Sequence, residues 1–497
     1  MDRLTHVSAA RLSEFIKAYD VRGLVPQQLN DDVAFAIGSA FAQVAAVPDG
    51  AASVVVGHDM RASSPELSRA FARGAAEYGL DVTLIGLCST DGLYYASGAL
   101  DVPGAMFTAS HNPAEYNGIK LCRSGARPVG QDTGLSQITD VAQALLDFAP
   151  APSTDTGAVP GAPAAEVVAG TISERDVLVD YARFLRGLVD LGGNRPLTVV
   201  VDAGNGMGGH TVPAVLGTQG ALPALPLTVI PLYFELDGTF PNHEANPLDP
   251  KNLVDLQAAV IAQGADLGLA FDGDADRCFV VDERGEAVSP STITALVATR
   301  EIAKERAAGR DATIVYNVIT SAGVPEIIAE AGGTAVRTRV GHSFIKGEMA
   351  RHQAVFGGEH SAHYYFRDFW FADTGMLAAM HVLAALGEQA RPLSEVVAEF
   401  SRYAASGEIN STVPDAGVAT ANVRAWAQER AQAEGQDLGF DELDGMTVTH
   451  QGAPMWWFNL RASNTEPLLR LNVEAADEAT MARVRDDVLL IVRGEKA

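Results

Sequence analysis

The chain has 497 residues, of which 47% are apolar, and a formal net charge of −26 at pH 7. At about 150 residues per domain this length predicts three or four domains, and the negative charge excludes nucleic acid and anionic membranes as general partners, because both are polyanions. With widely spaced cysteines, no apolar core of a signal peptide and no apolar run near the ~20 residues that cross a bilayer, we expect a cytoplasmic protein without disulfides.

One arrangement recurs three times along the chain, beginning near Ser53, Leu197 and Ala312. In each copy a β-branched run is followed by a polar or glycine-containing turn, an amphipathic helix and another apolar run. Helices are predicted from Pro65 and from Val324, each with proline in the first turn and glycine at the end. The repeats predict an α/β class with three tandem mixed-sheet domains covered by helices.

The end of the chain has a different texture. Strands are predicted near Ser406, at Met446 and on both sides of a polar loop after Trp456, and an amphipathic helix is predicted over 477–492. These elements predict a C-terminal α+β domain. Residues 149–165, rich in Pro, Ala, Gly and Thr, are predicted to be a linker. The predicted domains are 1–150, 151–286, 287–399 and 400–497.

The first chemically informative segment is Phe107-TASHNPAEYNGIK, which follows a strand-like run. Ser110 stands in a turn, where a serine is ordinarily a cap or turn former. Lys120 lies in the same segment and could donate or accept a proton if burial lowers its pKa. Ser110 is therefore a candidate phosphate carrier, provided that a metal site accompanies it.

The second segment, Phe271-DGDADR, also follows an apolar strand-like run, and ligands of α/β sheets bind at the carboxyl ends of strands. Asp272, Asp274 and Asp276 alternate along the backbone and project to one side. Their carboxylates repel one another unless a hard cation such as Mg²⁺ or Ca²⁺ joins them. We exclude an EF-hand, because Arg277 replaces its glycine and the flanks are predicted strands. An acidic surface turn is the alternative.

The third segment is Gly357-GEHSAHYYFRD. In an extended backbone Glu359 and Ser361 point to one side, and a carboxylate beside a hydroxyl suits two adjacent sugar hydroxyls. His363 points the same way and could transfer a proton. A polar loop without function is the equal alternative.

The fourth segment is Arg461-ASNTEP, in which Arg461 offers a bidentate fork. Small donors follow it at Ser463, Asn464 and Thr465, and such a loop suits a phosphate dianion. A turn between two strands is the alternative. Further positive charge comes from Arg22, His342 and Lys346, which an anionic substrate needs in so acidic a chain.

These four segments together resemble the α-D-phosphohexomutases, and most closely their bacterial phosphomannomutase/phosphoglucomutase branch. The resemblance extends from about Tyr19 to Pro467 and implies four domains around a central cleft, each contributing one loop. It implies that Ser110 is a phosphoserine and that Asp272, Asp274 and Asp276 bind Mg²⁺, with a phosphoserine oxygen completing the site.

The resemblance also implies roles for other residues. By this resemblance Lys120, Arg277 and His363 transfer protons, and Glu359 and Ser361 bind the sugar. The phosphate that does not react is bound by Arg461, Ser463, Asn464 and Thr465. Supporting contacts come from Tyr19, Arg22 and His342. Two positions depart from the family pattern. Ile319 replaces a frequent basic residue, and the sugar loop reads GEHSAH where many relatives have Met at the third place and Gly at the fifth. His360 therefore adds a contact or faces solvent.

The implied reaction interconverts hexose 1-phosphate and hexose 6-phosphate through a 1,6-bisphosphate, which is also the expected activator. Mannose and glucose differ only at C2, so a site that binds the 3- and 4-hydroxyls discriminates poorly between them. We therefore expect activity on both sugars, with mannose preferred. A glucosamine-phosphate mutase, a phosphoserine-dependent phosphohydrolase and a non-catalytic sugar-phosphate sensor remain alternatives. The expected partners are hexose phosphates only, with the chain a monomer or homodimer.

Overall fold

The computed structural model describes residues 11–16, 19–148, 168–435, 437–462 and 468–494. These residues form two compact units. The first contains the chain up to Val288 and the segment Ser361–Ser394, and the second contains Ser289–His360 and the chain from Glu395. The predicted linker at 149–165 lies outside the described residues.

The first sheet has seven strands in the order β1-β5-β4-β2-β3-β7, with β6 paired to β5. Its strands are β1 (Val21–Leu24), β2 (Ser53–His58), β3 (Asp81–Leu87), β4 (Gly104–Phe107), β5 (Tyr116–Arg123), β6 (Arg127–Pro128) and β7 (Ile172–Glu174). Its helices are α1 (Leu12–Phe15), α2 (Asp31–Phe41) with a π-helical turn at Ala42–Ala46, α3 (Ser64–Glu77), α4 (Thr90–Leu100) and α5 (Leu135–Asp147).

Strand direction in this sheet determines where the phosphoserine candidate lies. Strands β2, β3, β4 and β7 run parallel, whereas β5 runs antiparallel to β4. Ser110 lies in the connection between β4 and β5, and Lys120 returns on β5 opposite Met106. The apolar β-branched run Val54–Val56 is buried in β2, as expected for a strand covered on both faces.

The second sheet has the order β12-β11-β10-β8-β9. Its strands are β8 (Leu197–Asp202), β9 (Leu227–Leu232), β10 (Leu267–Phe271), β11 (Cys278–Asp282) and β12 (Ala287–Val288), and its helices are α6 (Leu178–Leu188), α7 (Gly208–Val215) and α8 (Val254–Gln263). The acidic segment joins β10 to β11, which pair antiparallel with Phe271 opposite Cys278. Strands therefore flank this segment, as predicted.

The third α/β region begins in the second unit with three parallel strands. They are β13 (Thr313–Asn317), β14 (Thr334–Thr338) and β15 (Phe356–Gly358), accompanied by α9 (Pro290–Ala307), α10 (Gly323–Glu330) and α11 (His342–His352). The antiparallel pair β16 (Tyr364–Phe366) and β17 (Ala372–Asp373) belongs to the first unit, as does α12 (Gly375–Gly387), and α13 (Leu393–Ala398) follows.

The C-terminal sheet is antiparallel throughout, in the order β18-β22-β21-β20-β19. Its elements are β18 (Ala404–Thr412), α14 (Ala416–Glu434), β19 (Leu438–Asp441), β20 (Met446–His450), β21 (Trp456–Ala462), β22 (Leu468–Ala475) and α15 (Glu478–Arg493). Val423 and Val488 of the helices share a core with Phe458 of the sheet. The predicted fold class, three mixed α/β regions and a C-terminal α+β domain, is confirmed.

Among the described residues, no helix combines the length and the apolar composition needed to cross a membrane. The three cysteines are buried, and none of these described residues forms a disulfide. Burial raises the pKa of the thiols of Cys88 and Cys278, which leaves them unreactive as nucleophiles.

Candidate active site

Ser110 and the acidic segment meet in the first unit. The Ser110 hydroxyl donates a 2.8 Å hydrogen bond to Oδ2 of Asp272, and both residues are buried. The contact extends to the backbone, because a Cβ atom at Gly273 would lie 2.3 Å from the carbonyl oxygen of Ser110. Glycine is therefore required at position 273 if the two segments are to approach so closely.

The backbone of Ser110 adopts an uncommon conformation. Its φ is +49°, in the left-handed region that costs a non-glycine residue free energy unless its surroundings enforce it. Two hydrogen bonds restrain this residue. Its N–H donates to Oγ1 of Thr108 at 2.9 Å, and its carbonyl accepts from the Arg61 guanidinium at 2.9 Å.

The three aspartates of the acidic segment suit a hard cation. Asp272, Asp274 and Asp276 are buried, and each offers one oxygen within 4.8 Å of the others. Oδ1 of Asp274 and Oδ1 of Asp276 have no hydrogen-bond partner among the described residues. Burial raises the pKa of Asp272 to about 7, against the lowering effect of Arg277. Crowded carboxylates with unpartnered oxygens fit a divalent cation that prefers oxygen ligands, as Mg²⁺ does.

Lys120 neutralises part of this charge. Its ammonium group lies 2.7 Å from Oδ2 of Asp274 and 2.6 Å from Oδ2 of Asp276. Burial lowers the pKa of Lys120, but the two carboxylates outweigh burial and raise that pKa well above its ordinary value. The condition set above for Lys120, a pKa lowered overall by burial, is therefore not met in this arrangement, and Lys120 is a cation here.

Arg277 and His111 also lie against Ser110. The Arg277 guanidinium donates to Oδ2 of Asp272 at 2.8 Å and to Nδ1 of His111 at 2.7 Å, and His111 Nδ1 lies 3.1 Å from the Ser110 hydroxyl. Since a guanidinium only donates, Nδ1 of His111 is the unprotonated nitrogen. Burial and Arg277 lower the pKa of His111 well below its usual range, so its imidazole is neutral.

His363 reaches the same centre from the β15–β16 connection. Its backbone pairs with that of Arg277, and its Nε2 lies 3.6 Å from Oδ1 of Asp276. The hydroxyl of Ser361 lies 3.0 Å from Nδ1 of the same ring. His363, Asp276 and Asp373 also offer ligand atoms within 4.8 Å of one another. The structure thus brings Ser361 and His363 to the aspartates of the first unit.

Arg22 and Tyr19 belong to the segment at the start of β1. Arg22 pairs with Gly118 of β5, and its guanidinium donates to Oδ1 of Asn112 at 2.5 Å, so it lies directly against the Ser110 loop. It also donates to Asp20 at 2.8 Å. Tyr19 directly precedes Asp20 in the chain, and its supporting contact stays a prediction.

Thr90 is a residue of this centre that sequence reasoning missed. Its hydroxyl donates to Oδ2 of Asp274 at 2.6 Å and its backbone N–H donates to the carbonyl of Asp274 at 3.0 Å. Thr90 is the first residue of α4, directly after the N-cap Ser89. From sequence such a threonine is an ordinary helix-start residue, so no local signal identifies it.

Arg61 is a second residue that sequence reasoning missed. A signal for it existed, because Arg61 follows the carboxyl end of β2, and ligand-binding residues are common at that edge of a sheet.

In the second unit, Glu359 is held between two donors. Its Oε1 accepts from Nδ2 of Asn317 at 3.0 Å and from the N–H of Gly341 at 3.1 Å, and the side chain is buried. Gly341 is the N-cap of α11, and His342 is the first residue of that helix. His342 therefore directly follows, in the chain, the residue whose N–H binds Glu359.

Arg461 lies on β21 and donates to Oε2 of Glu408 at 2.7 Å. Its Nε is buried and has no hydrogen-bond partner among the described residues. Part of the guanidinium thus retains binding capacity for an anion. The other members of the predicted phosphate loop, Ser463, Asn464 and Thr465, lie outside the described residues.

The two departures from the family pattern lie in one small cavity of the second unit. Ile319 and His360 both line it, together with Trp457 and Asn472, and its volume is about 60 Å³. His360 is half-buried, and its Nδ1 lies 3.2 Å from the hydroxyl of Ser291. Burial lowers the pKa of His360. His360 thus contacts Ser291 within the protein, and a contact of its ring with the substrate stays a prediction.

One cavity of the first unit does not coincide with this chemistry. Its volume is about 540 Å³, and His58, Arg69 and Arg175 are among its lining residues. None of the predicted site residues lines it. The arrangement around Ser110 defines the candidate site instead, since it combines a buried hydroxyl, three carboxylates and two cations. Such a group can carry a phosphoryl group and stabilise its transfer.

Comparison with protein families accounts for nearly the whole chain. Four descriptions match in order, namely "Phosphoglucomutase/phosphomannomutase, alpha/beta/alpha domain I" at residues 14–146, domain II at 180–285, domain III at 289–403 and the C-terminal domain at 408–491.

Individual relatives agree with this match. A "Phosphomannomutase" of Salmonella typhimurium is 38% identical over 476 residues, covering 95% of this chain and 97% of the relative. "Phosphohexose mutases" of Xanthomonas campestris pv. campestris is 39% identical over 483 residues, covering 96% of this chain and 99% of the relative. A crystal structure described as a phosphoglucomutase/phosphomannomutase family protein from Burkholderia thailandensis superposes with a TM-score of 0.81 at 29% identity, covering 97% of this chain and 98% of that one.

Proposed function

The chain belongs to the phosphoglucomutase/phosphomannomutase family and is a phosphohexomutase, and from this premise we propose that Ser110 carries the transferred phosphoryl group. The observation that supports this assignment most strongly is the contact between the Ser110 hydroxyl and Asp272, beside the unpartnered oxygens of Asp274 and Asp276. A phosphoserine that binds a metal needs the serine hydroxyl and the metal-binding carboxylates at one place.

In the proposed first half-reaction, phosphorylated Ser110 faces a hexose monophosphate. The bond between phosphorus and the Ser110 oxygen breaks as a bond to the free sugar hydroxyl forms, and the hydroxyl proton passes to a base. His363 is the proposed base, because Nε2 of its imidazole lies 3.6 Å from Oδ1 of Asp276, at the centre that holds Ser110. The leaving Ser110 oxygen is stabilised by Arg277 and Lys120, which are both cations here.

A Mg²⁺ held by Asp272, Asp274, Asp276 and the phosphoserine would neutralise charge on the phosphoryl oxygens. In the second half-reaction the bisphosphate, turned end for end, returns its other phosphoryl group to Ser110. We propose that Glu359 and Ser361 read the sugar hydroxyls and that Arg461 with Ser463, Asn464 and Thr465 binds the phosphate that does not react. Tyr19, Arg22 and His342 are proposed supporting contacts.

The proposed substrates are mannose phosphates first and glucose phosphates second. The names of the Salmonella and Xanthomonas relatives, phosphomannomutase and phosphohexose mutases, support this order. A hexose 1,6-bisphosphate is the proposed activator, because it can phosphorylate Ser110 directly. We further propose a cytoplasmic enzyme, monomeric or homodimeric, with domains at 1–150, 151–286, 287–399 and 400–497.

Isomer exchange tests the proposal. Mannose 1-phosphate, Mg²⁺ and a trace of hexose 1,6-bisphosphate are followed by phosphorus NMR with the wild type, Ser110→Ala and Asp274→Ala. The proposal predicts mannose 6-phosphate with the wild type only, and a slower reaction with glucose 1-phosphate. Release of inorganic phosphate at the turnover rate would identify a phosphohydrolase. Conversion of glucosamine phosphates alone would identify an amino-sugar mutase.

A further inference from the structure

One buried arginine holds the Ser110 loop by its carbonyl oxygens. The Arg61 guanidinium, in a residue only 2% exposed, donates through one terminal nitrogen to Pro113 O at 2.8 Å and Tyr116 O at 2.9 Å. Through the other terminal nitrogen it donates to Ser110 O at 2.9 Å and Asn112 O at 2.6 Å. A single side chain therefore fixes four carbonyl groups of the connection between β4 and β5.

The side chain of Arg61 is itself held in place by neighbouring residues. Its Nε lies 3.2 Å from Oδ2 of the fully buried Asp59, whose Oδ1 accepts from the Ser64 hydroxyl at 2.6 Å. Asn117 donates to Ser64 at 2.9 Å and thereby connects the far end of the loop to the same network. The guanidinium also lies over the ring of Phe240, 5.2 Å from its centroid. The position of the guanidinium is thus set by several contacts.

We propose that Arg61 is a positioning residue for phosphoryl transfer, holding Ser110 in its left-handed conformation so that its oxygen faces Asp272. The proposal rests on the proposed role of Ser110. It follows from the strained φ of Ser110 and from the contact with Gly273, because a loop confined between a guanidinium and a glycine backbone has one position available. Loss of the guanidinium allows the Ser110 backbone to relax, and displacement of a reacting atom by about 1 Å costs on the order of 100-fold in rate.

Lysine cannot replace this arginine. A guanidinium presents five donors in a rigid plane, whereas an ammonium presents three donors at one point. Burial lowers the pKa of Arg61, yet an arginine remains charged in a protein. Arg61→Lys therefore retains the positive charge beside Asp59 but removes the planar set of N–H donors that binds the four carbonyl oxygens.

Arg186 provides a matched control in the same unit. Its guanidinium also holds loop carbonyls, donating to Val215 O at 2.7 Å and Pro223 O at 2.6 Å and contacting Gly217 O, but none of these residues belongs to the candidate site. Arg186→Lys therefore has the same kind of structural cost without displacing Ser110.

The experiment compares steady-state kinetics of the wild type, Arg61→Lys and Arg186→Lys with mannose 1-phosphate, below the melting temperature of each. We expect kcat of Arg61→Lys to fall about 100-fold with KM within about 3-fold, because the substrate-binding groups are retained, and kcat of Arg186→Lys to stay within about 2-fold. A folded Arg61→Lys enzyme with kcat within about 3-fold of the wild type would overturn the proposal. An equal loss in both variants would also overturn it, since the effect would then be general destabilisation.

If Arg61→Lys does not fold, Ser64→Ala replaces it, because this change loosens Asp59 and Asn117 and leaves the guanidinium present. The proposal then predicts a fall in kcat of about 5-fold or more, and a folded variant with unchanged kcat refutes it. Ser110→Ala is run in parallel to separate the two claims. If that variant remains active, the role of Ser110 fails, whereas loss of activity in Ser110→Ala with full activity in Arg61→Lys refutes only the role of Arg61.

Discussion

The backbone of Gly273 lies so close to Ser110 that a Cβ atom added at position 273 would be only 2.3 Å from the carbonyl oxygen of Ser110. A methyl group at this position must push the Ser110 loop away from the aspartates or move the acidic segment. We expect Gly273→Ala to lower kcat by about 100-fold, as expected for a shift of about 1 Å in a reacting group.

Gly187→Ala in α6 is the control for Gly273→Ala, because a Cβ there meets nothing within 4 Å. Activity assays at matched folded concentration measure both variants. Wild-type activity in Gly273→Ala would show that the two segments tolerate a larger separation than the account allows.

Thr90 is expected to support metal binding through Asp274. Thr90→Val keeps the shape of the side chain but removes the hydroxyl that donates to Oδ2 of Asp274 at 2.6 Å. Partners that orient metal ligands contribute about 10- to 100-fold in metal affinity, so we expect weaker Mg²⁺ binding by about 10-fold. Titration calorimetry measures the affinity. Thr139→Val, which removes only a bond to Leu135 O within α5, serves as control. Equal Mg²⁺ affinity in Thr90→Val and the wild type would contradict the prediction.

Glu359 is expected to contribute to sugar binding more than to the chemical step. Glu359→Gln keeps an acceptor for Asn317 and Gly341 but removes the charge, and a hydrogen bond to a charged group contributes about 1.5–3 kcal/mol. We expect KM to rise about 10-fold or more with a smaller change in kcat. Glu283→Gln is the control, because Glu283 binds Ser394 outside the candidate site. An unchanged KM would exclude Glu359 from sugar recognition.

Asp91 is expected to make stability depend on pH. It is fully buried and accepts from Tyr181 and Thr374 at 2.7 Å each, and burial raises its pKa from 3.8 to about 6. An acid whose pKa is higher in the folded state stabilises the fold below its unfolded pKa and loses that contribution as pH rises through the folded pKa. This rise in the pKa of Asp91 corresponds to ~3 kcal/mol of stability across pH 4–6.

Melting temperatures of the wild type and Asp91→Asn over this range test the sign. The advantage of the wild type over the variant should grow as the pH falls from 6 to 4. A difference that stays constant over this window would show that the pKa of Asp91 is not raised by folding.

Local sequence patterns were sufficient for the main elements. Alternating carboxylates after an apolar run predicted the acidic segment between two strands, and the structure has β10 and β11 there. The helix predicted from Pro65 and the closing helix over 477–492 correspond to α3 and α15. These predictions succeeded because strand and helix periodicity and end signals are local properties of the chain.

Contacts between distant segments were not predictable in the same way. Arg61 binds carbonyls about 50 positions later, and Thr90 binds Asp274, 184 positions later, so no spacing rule identifies either residue. The charge state of Lys120 depends on contacts of the same kind. Burial alone lowers its pKa, but the two carboxylates that reverse this effect come from the segment between β10 and β11, in another sheet.

Mapping the phosphorylated residue tests whether Ser110 carries the phosphoryl group. The enzyme is treated with hexose 1,6-bisphosphate and Mg²⁺, digested and analysed by mass spectrometry, before and after addition of hexose monophosphate. We expect the peptide that contains Ser110 to carry the added mass of one phosphoryl group and to lose it when the monophosphate is added. Phosphate on another residue, or a Ser110 phosphate that persists while the enzyme turns over, would contradict it.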